Sequence, residues 1–260
     1  MIENRMNEKL ESFRRLLEIM DELRIKCPWD SVQTKETIRN LTIEETYELA
    51  DAILENDYKD MRKELGDIML HIVFYARMAA EEDKFDMKDV LDSINEKLVN
   101  RHPHVFGEVH VNDQHDVKKN WEEIKIGEGN RSVLGGVPNS LPAMVKANRI
   151  QEKVRSIGFD WEERRQVWGK VEEELQELKE EIHKNDHDKM EAEFGDLLFS
   201  VVNAARLYNI DPETALERTN KKFIKRFKYV EEKIKQTGKK IKEVPLKEMD
   251  ELWNEAKKHE

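Results

Sequence analysis

The sequence predicts an all-α protein built from two tandem helical-bundle domains, and three observations support this fold class. The chain has only 10 glycines and 6 prolines among its 260 residues, and it is rich in Glu, Lys and Arg, a composition typical of helices. Apolar residues recur at the i, i+3, i+4 spacing of amphipathic helices. One acidic pattern also occurs twice at a fixed offset, which indicates two copies of one structural unit.

The repeated acidic pattern has two parts in each copy. The first copy reads Glu44-Glu45-Thr46-Tyr47-Glu48 and then Glu64-Leu65-Gly66-Asp67. The second copy reads Glu173-Glu174-Leu175-Gln176-Glu177 and then Glu193-Phe194-Gly195-Asp196. Every acidic position is displaced by the same 129 residues, and neighbouring apolar residues match at that offset as well. The repeat therefore extends beyond the acids.

Helical periodicity and chain breaks define the elements of the first repeat. Pro28 ends the first helix because proline cannot continue a helix, and Asn56-Asp57 separates the second helix from the third. The segment 101–111 contains Pro103 and Gly107 and is predicted to be a loop. The predicted helices span residues 7–26, 37–55, 58–82, 86–99 and 113–126.

The second repeat follows a segment rich in chain-breaking residues. Glycine and proline concentrate between Gly127 and Pro142, where the domain boundary is predicted. Asp211-Pro212 begins the last long helix, with Asp as the N-cap and Pro in the first turn. The helices of this repeat are predicted at residues 143–156, 163–183, 188–209 and 212–236. The predicted organisation is a first domain at 1–127, a linker at 128–142 and a second domain at 143–260.

The acidic residues lie on the apolar side of their predicted helices. At about 100° per residue, Glu45 and Glu48 lie within the stripe that contains Leu41, and Glu64 and Asp67 share the buried side of the next helix. Helices joined by a short connection are antiparallel neighbours, so these carboxylates converge. Carboxylates without cations among their near neighbours repel each other, which predicts a bound cation. An all-oxygen site favours Mg²⁺, with Mn²⁺ as a substitute.

Charge and composition argue against several classes of protein. A net charge of -11 and a pI near 5.4 argue against binding to a nucleic-acid backbone, which needs clustered cations. No stretch approaches the roughly 18 apolar residues of a membrane span, and the first residues do not begin a signal peptide. The single cysteine, Cys27, excludes an intrachain disulfide. These features predict a soluble, cytoplasmic protein that binds neither nucleic acid nor membrane.

The repeated motif resembles that of a known family. Glu-Glu-x-x-Glu followed by Glu-x-x-Asp is similar to the motif of the MazG family of nucleoside triphosphate pyrophosphohydrolases. Three more segments look like recurrent segments of that family: Cys27-Pro28-Trp29-Asp30, Arg101-His102-Pro103-His104-Val105-Phe106, and the stretch from Gly136 to Pro142. The resemblance covers almost the whole chain. It implies an all-α, Mg²⁺-dependent enzyme whose helical bundles form across the subunits of a homodimer.

The resemblance also implies roles for the acidic residues. The implied metal ligands are Glu45, Glu48, Glu64 and Asp67 in the first repeat, and Glu174, Glu177, Glu193 and Asp196 in the second. The leading acids, Glu44 and Glu173, are then available to orient or deprotonate the attacking water. Two metal ions bound by such a set can neutralise phosphate charge and present that water in line.

Basic and aromatic residues are the candidates for binding the rest of a nucleotide. The basic candidates are Lys170, Lys189, Lys222, Lys225 and Arg226 in the second repeat, and Lys97 and Arg101 in the first. A solvated helix face explains the basic run from Lys221 to Lys228 equally well. Trp253 and Trp121 are candidates for stacking on the base, and ordinary packing between helices is the alternative for both.

The sequence predicts hydrolysis of nucleoside triphosphates to monophosphate and pyrophosphate, for house-cleaning or control of the nucleotide pool. The second domain is predicted to do most of it, because the first repeat has fewer cations at the aligned positions. There Glu96, Asn100 and Asp60 stand where the second repeat has Lys221, Lys225 and Lys189. Two alternatives stay open: a narrower pyrophosphatase acting on dUTP or dCTP, and a helical regulatory module that binds nucleotide or a partner protein without turnover.

Overall fold

The computed structural model describes residues 2–111, 113, 116, 117, 120, 121, 124 and 132–259, and for residues 2–4 it describes only the backbone. The structure is 78% helical, and no strand occurs among the described residues. The predicted all-α fold class is confirmed. In this part of the chain, no helix combines the length and the apolar character needed to cross a membrane.

The chain divides into two compact units, Met1–Asn112 and Asp113–Glu260. The division falls before the predicted boundary at residue 127. Residues 128–131 of the predicted linker, and most of the helix predicted at 113–126, lie outside the described residues. The predicted domain bounds therefore stay a prediction.

The first unit contains five α-helices and a short 3-10 helix at Asp30–Val32 among its described residues. The helices are α1 Ile2–Lys26, α2 Lys35–Glu55, α3 Tyr58–Glu81, α4 Met87–Arg101 and α5 Pro103–Phe106. The one-turn helix α5 lies where the sequence predicts a loop. Pro103 occupies its first turn, where the fixed φ of proline suits a helix and its missing N–H is not needed.

Side-chain caps define the α2–α3 hairpin. Thr34 and Thr37 form a reciprocal capping box at the start of α2. Asn56 ends that helix in the left-handed conformation, with φ 56°, a conformation that Asn tolerates better than most residues. The Asp57 side chain then accepts hydrogen bonds from the first N–H groups of α3. Because only these two residues connect the helices, α2 and α3 are antiparallel neighbours.

The core of the first unit lies where α1, α2 and α3 meet. Its buried side chains are Met20, Ile38, Val73, Phe74 and Met78, and partly buried residues such as Leu41 pack against them. Fully burying each of these side chains contributes about 1.5–3 kcal/mol relative to exposure. This packing holds α3, which carries one part of the acidic motif, in a fixed position against α2.

The second unit repeats the hairpin of the first. Its α-helices are α6 Ala143–Arg155, α7 Gln166–Lys184, α8 His187–Leu207, α9 Pro212–Gln236 and α10 Leu246–Ala256, and short 3-10 helices lie at Ile241–Glu243 and Lys257–His259. Asn185, with φ 56°, ends α7, and Asp186 caps α8. At α9 the predicted start is present, since the Asp211 side chain accepts a hydrogen bond from Thr214 N–H and Pro212 follows it.

Among its described residues, the second unit has two buried apolar clusters. Val167, Ala204 and Leu207 pack together where α7 and α8 approach. Val230, Ile234 and Val244 form the other cluster, against which Trp253 of α10 packs. The first of these clusters fixes the α7–α8 hairpin, and the second fixes α10 against α9.

A buried ion pair fastens the α6–α7 connection onto α8. The guanidinium of Arg206 donates to Asp160 Oδ2 at 3.0 Å and to Asn203 Oδ1 at 2.7 Å, and only 6% of the Arg206 side chain is exposed. Burial by itself would raise the pKa of Asp160, but the hydrogen bond and charge of Arg206 hold it below the ordinary value. The aligned residue of the first repeat, Arg77, likewise pairs with Asp21 at 2.6 Å.

We expect Arg206→Met to lower the free energy of unfolding by about 3 kcal/mol, because it leaves the largely buried Asp160 carboxylate with the longer ion pair to Arg155, whose Nε lies 3.4 Å from it. Urea unfolding measures this change. Arg165→Met is the control, since it removes an exposed arginine that lies 3.7 Å from Glu163 and should cost less than about 1 kcal/mol. Equal costs for the two variants would contradict the structural role of the buried pair.

Candidate metal and active site

Three carboxylates of the first unit converge between α2 and α3. Glu45 and Glu48 come from α2 and Glu64 comes from α3, and one oxygen from each lies within 4.8 Å of the others. We call these residues the first cluster. Glu64 is buried, Glu45 is partly buried and Glu48 is exposed. The predicted convergence is present, although the carboxylates are less uniformly buried than the helical angles suggest.

The first cluster has properties that fit a bound cation. Glu64 Oε2 is buried and has no hydrogen-bond partner, which is costly for a carboxylate oxygen. Burial, a hydrogen bond with Glu64 and the nearby charges of Asp67 and Glu48 raise the pKa of Glu45. Oxygen donors of this kind are the ligands that a hard divalent cation prefers.

A lysine also contacts the first cluster. Lys63 Nζ donates to Glu64 Oε1 at 2.9 Å and lies 3.7 Å from Glu48 Oε2. The expectation that the acids have no cation among their near neighbours is therefore wrong. The repeat gives no signal for Lys63, because the aligned residue of the second copy is Ala192. Its place directly before Glu64 was the only available signal.

The second unit forms an equivalent cluster between α7 and α8. One oxygen each of Glu174, Glu177 and Glu193 lies within 4.8 Å of the others, and we call these residues the second cluster. Glu174 is buried, and Glu193 has a buried Oε2 without a hydrogen-bond partner. Burial first, and then the charges of Glu177 and Asp196, raise the pKa of Glu193. Each cluster thus raises the pKa of one carboxyl, although Glu45 and Glu193 occupy different positions of the repeat.

Lys170 supplies a cation to the second cluster from α7. Its Nζ lies 2.7 Å from Glu174 Oε1 and donates to Glu173 Oε1 at 2.8 Å. Hydrogen bonds with Glu173 and then Glu174 raise the pKa of Lys170 far above its usual range. Lys170 was predicted to bind substrate, whereas in this structure it binds two acidic residues of the site.

The remaining acids of the motif lie beside the clusters. Asp67 is partly buried and its charge acts on Glu45, and Asp196 is exposed and its charge acts on Glu193. Neither belongs to the three-residue groups whose oxygens lie within 4.8 Å. The leading acids Glu44 and Glu173 are exposed. The ligand and water-activating roles of these residues stay predictions.

Two predicted nucleotide-binding residues of the second unit lie together. The Arg226 guanidinium of α9 lies over the Trp253 ring of α10, 5.6 Å from the ring centroid. Phe223 also packs against Trp253, with its ring centroid 4.8 Å from that of the Trp253 ring. Trp253 also packs on the buried cluster of α9, so the packing alternative holds for at least part of its surface.

The other basic candidates of the second unit are exposed. Lys222 and Lys225 lie on α9 with exposed side chains. Lys189 lies one turn before Glu193 on α8, and its Nζ is 3.4 Å from Asp186 Oδ2. These positions leave the three lysines accessible to an anionic ligand, and their role in binding remains a prediction.

The candidates from the first repeat are distributed over both units. Lys97 is exposed and Arg101 is partly buried, and both lie on α4. Trp121 is partly buried and belongs to the second unit, although the predicted boundary places it in the first domain. Their role in substrate binding stays a prediction.

Together, the fold and the clusters define a class of protein: a helical chain with two hairpins, each bringing acidic side chains of adjacent helices together for a cation. A family model adds an identity to this class. The model of the MazG nucleotide pyrophosphohydrolase domain matches residues 33–106 and 165–231. The matched segments contain both copies of the acidic motif and cover more than half of the chain. The protein belongs to the MazG family, as its sequence motifs predicted.

Relatives match over most of the chain. A Thermotoga maritima protein named nucleoside triphosphate pyrophosphohydrolase/pyrophosphatase MazG is 44% identical over 250 residues, which cover 94% of this chain and 95% of the relative. An Escherichia coli nucleoside triphosphate pyrophosphohydrolase is 43% identical over 255 residues, covering 95% and 97%. The uncharacterized protein YabN of Bacillus subtilis is 46% identical over 238 residues, covering 90% of this chain and 49% of the relative.

We expect Glu45→Gln to stabilise the metal-free protein at neutral pH but not near pH 4.5, the ordinary pKa of Glu. A carboxyl whose pKa is raised by folding favours the folded state while protonated, and this contribution is lost as the pH rises through the raised pKa. The variant has no such group, so it gains on the wild type as the pH rises. Thermal unfolding in a chelator at both pH values measures the difference.

Glu36→Gln is a suitable control on the same helix, because the pKa of Glu36 is lowered by a hydrogen bond from its own backbone N–H. This variant should lose stability relative to the wild type as the pH rises, which is the opposite sign. If the stability of Glu45→Gln changed with pH in parallel with that of the wild type, the raised pKa of Glu45 in the first cluster would be contradicted.

Proposed function

We propose that the protein hydrolyses nucleoside triphosphates to nucleoside monophosphate and pyrophosphate, using Mg²⁺ held by the acidic motifs, and that Mn²⁺ can replace it. The observation that carries this proposal is the pair of clusters, each with one buried carboxylate oxygen that has no hydrogen-bond partner. Membership of the MazG family and the names of the Thermotoga and Escherichia relatives support the substrate class.

The residues present fit such an ion in both units. Glu45, Glu48 and Glu64 would hold it in the first unit with Asp67, and Glu174, Glu177 and Glu193 would hold it in the second with Asp196. Bound there, Mg²⁺ would neutralise phosphate charge and lower the pKa of a coordinated water. The carboxylates themselves restrict the position of the ion because they come from two helices whose connection is only two residues long.

Glu173 is the proposed water-activating residue, but a lysine already contacts its carboxylate. It is exposed beside Glu174, and its Oε1 accepts a hydrogen bond from Lys170 at 2.8 Å. The ammonium of Lys170 thus occupies one oxygen of this carboxylate. Glu173 would accept a proton from the attacking water once that ammonium has moved away, and Glu44 is the aligned acid of the first unit. In the hydrolysis, the water oxygen would bond to one phosphorus of the α–β anhydride as that phosphorus loses the bridging oxygen, which leaves with the other phosphate group and gives monophosphate and pyrophosphate.

The second unit has a surface suited to holding the nucleotide, and more cations than the first repeat at the aligned positions. Arg226 and Trp253 are in contact, so one charged and one aromatic group are already arranged for phosphate and base. Lys170, Lys189, Lys222 and Lys225 would meet further phosphate oxygens. Lys97, Arg101 and Trp121 are the aligned candidates from the first repeat. We therefore assign most of the turnover to the second unit.

We expect pyrophosphate release from a panel of nucleoside triphosphates to require Mg²⁺ and to depend mainly on the second cluster. Glu174→Gln removes a ligand and should lower turnover by about two orders of magnitude or more, whereas Glu45→Gln should lower it much less. Product analysis should show monophosphate and pyrophosphate. The panel should include dUTP and dCTP, which tests the narrower activity.

Glu172→Gln is the matched control, because Glu172 is an exposed acid of the same helix outside the motif, and it should retain full turnover. Absence of pyrophosphate release from every triphosphate would favour the regulatory module. Equal losses in Glu45→Gln and Glu174→Gln would instead show that both units catalyse the reaction.

We also propose a homodimer, on the basis of exposed apolar side chains at equivalent positions of both hairpins. Leu65, Met69 and Ile72 form a stripe on α3, and Phe194, Leu198 and Val201 form the aligned stripe on α8; all six are exposed. Exposed apolar stripes of this kind favour association. Because the spacing i, i+4, i+7 is the same in both, a second copy can cover them symmetrically. A cytoplasmic location stays a prediction from the sequence.

The homodimer predicts that Leu198→Glu shifts the protein towards monomer in sedimentation experiments at micromolar concentration, because a carboxylate would be buried at the contact. Leu246→Glu is the matched control, since Leu246 is exposed at the start of α10 and lies outside the stripe. It should leave the dimer intact. A wild-type protein that sediments only as a monomer would refute the proposal.

A further inference from the structure

We propose that Lys63 and Lys170 are the resident counter-ions of the two clusters, and that each ammonium leaves its carboxylates when a divalent cation binds. This inference rests on the proposed metal-dependent function. It adds a residue, Lys63, that neither the family motif nor the repeat comparison identifies, and it assigns Lys170 a role in the metal-free protein. The metal-free state would then be a set of ion pairs within the protein rather than an array of bare carboxylates.

The contacts of Lys63 are those of a cation placed between ligands. Its ammonium lies between Glu48 of α2 and Glu64 of α3, at 3.7 Å and 2.9 Å from their oxygens. It therefore links the two helices of the hairpin, as the proposed metal ion would. The ammonium replaces the metal ion only in part, because Glu64 Oε2 remains buried without a hydrogen-bond partner. A divalent ion brings twice the charge and several coordination positions to the same oxygens.

Lys170 reaches the second cluster by a different route. It lies on the same helix as its partners, one turn before Glu173 and Glu174, and contacts both at 2.8 Å and 2.7 Å. Its release would free a buried proposed ligand, Glu174, and the proposed water-activating residue, Glu173. Removal of this ammonium thus prepares two functions of the site together.

The two lysines occupy non-equivalent positions of the repeat. Lys63 aligns with Ala192, and Lys170 aligns with Leu41. Leu41 packs against the core of the first unit, so a lysine at that position would bury its charge. Ala192 is exposed. Each unit therefore supplies one ammonium to its cluster from a different helix of the hairpin, and the similarity is in charge rather than in sequence position.

Competition between the lysine ammonium and a metal ion should lower the affinity of the cluster for the metal. A monovalent cation bound to the same carboxylates repels an entering divalent cation, and its contacts must be broken. Removing the lysine makes the cluster more negative and removes the competitor, so the metal should bind more tightly. Because both lysines are partly exposed, water screens the effect. We expect an increase in affinity of about two- to fivefold.

The experiment measures Mn²⁺ binding to the full chain by calorimetry and by the loss of free Mn²⁺ signal in electron paramagnetic resonance. The first cluster is isolated in a Glu174→Gln background and the second in a Glu45→Gln background. Lys63→Met and Lys170→Met are then added to the respective background. Circular dichroism verifies that helicity is retained, and Lys63→Gln provides a second, polar variant at the exposed position 63.

Matched controls remove an ammonium from an ion pair elsewhere in each unit. Lys35→Met breaks the pair with Glu82 at 3.2 Å, and Lys239→Met breaks the pair with Glu248 at 2.9 Å. Both change the net charge by the same amount and should leave Mn²⁺ affinity unchanged. A rescue variant, Lys170→Met with Ala192→Lys, restores an ammonium from the position used by the first unit. It should return the affinity of the second cluster towards the starting value.

The outcomes separate this inference from the proposed function. Tighter Mn²⁺ binding in Lys63→Met and Lys170→Met, but not in the controls, supports the resident counter-ions. Unchanged or weaker Mn²⁺ binding in both variants overturns the counter-ion role of the two lysines, but it does not contradict a metal-dependent enzyme. If Mn²⁺ binding persists when both Glu45→Gln and Glu174→Gln are present, or if the wild type binds no Mn²⁺, the metal sites and the counter-ions are both wrong.

Discussion

Convergence of like charges between two packed helices is the constraint on which the rest of each unit depends. Glu64 and Glu174 are only 4% and 6% exposed, so each is held away from solvent in its own unit. Repulsion among the carboxylates of each cluster, which one lysine only partly offsets, opposes folding, whereas the apolar cores on the same helices favour it. A well-defined connection between the two helices opposes this repulsion. Both hairpins have the same one: an Asn in the left-handed conformation followed by an Asp that caps the next helix.

The two repeats agree in their anions and differ in their cations. Carboxylate oxygens of the two clusters have matching positions, with one buried oxygen in each that lacks a hydrogen-bond partner. The lysines that contact them come from α3 in one unit and from α7 in the other. A ligand oxygen must satisfy the geometry of an ion, so its position is restricted. An ammonium on a long flexible side chain can reach the same point from several positions.

This difference explains what could be predicted from the sequence. The hairpins, the convergence of Glu45, Glu48 and Glu64, and the cap at Asp211 follow from periodicity and capping rules that act over a few residues. Lys63 could not be found in this way, because only the packing of α2 against α3 brings it to Glu48. The exposure of Glu48 and Glu177 was missed for a related reason: a helical angle gives the side of a helix, whereas burial also depends on how far the neighbouring helix extends.

The presence of Lys63 also changes the argument about unequal repeats. At the aligned positions the first repeat has fewer cations than the second. At the clusters, however, each unit has a lysine in contact with a carboxylate. Any inequality between the units must therefore arise further from the metal site. In the second unit the Arg226 guanidinium lies over the ring of Trp253, and Lys97 and Arg101 are the aligned candidates in the first unit. Under the proposed function, any difference between the two units would concern how firmly a nucleotide is held, because the carboxylate clusters themselves are alike.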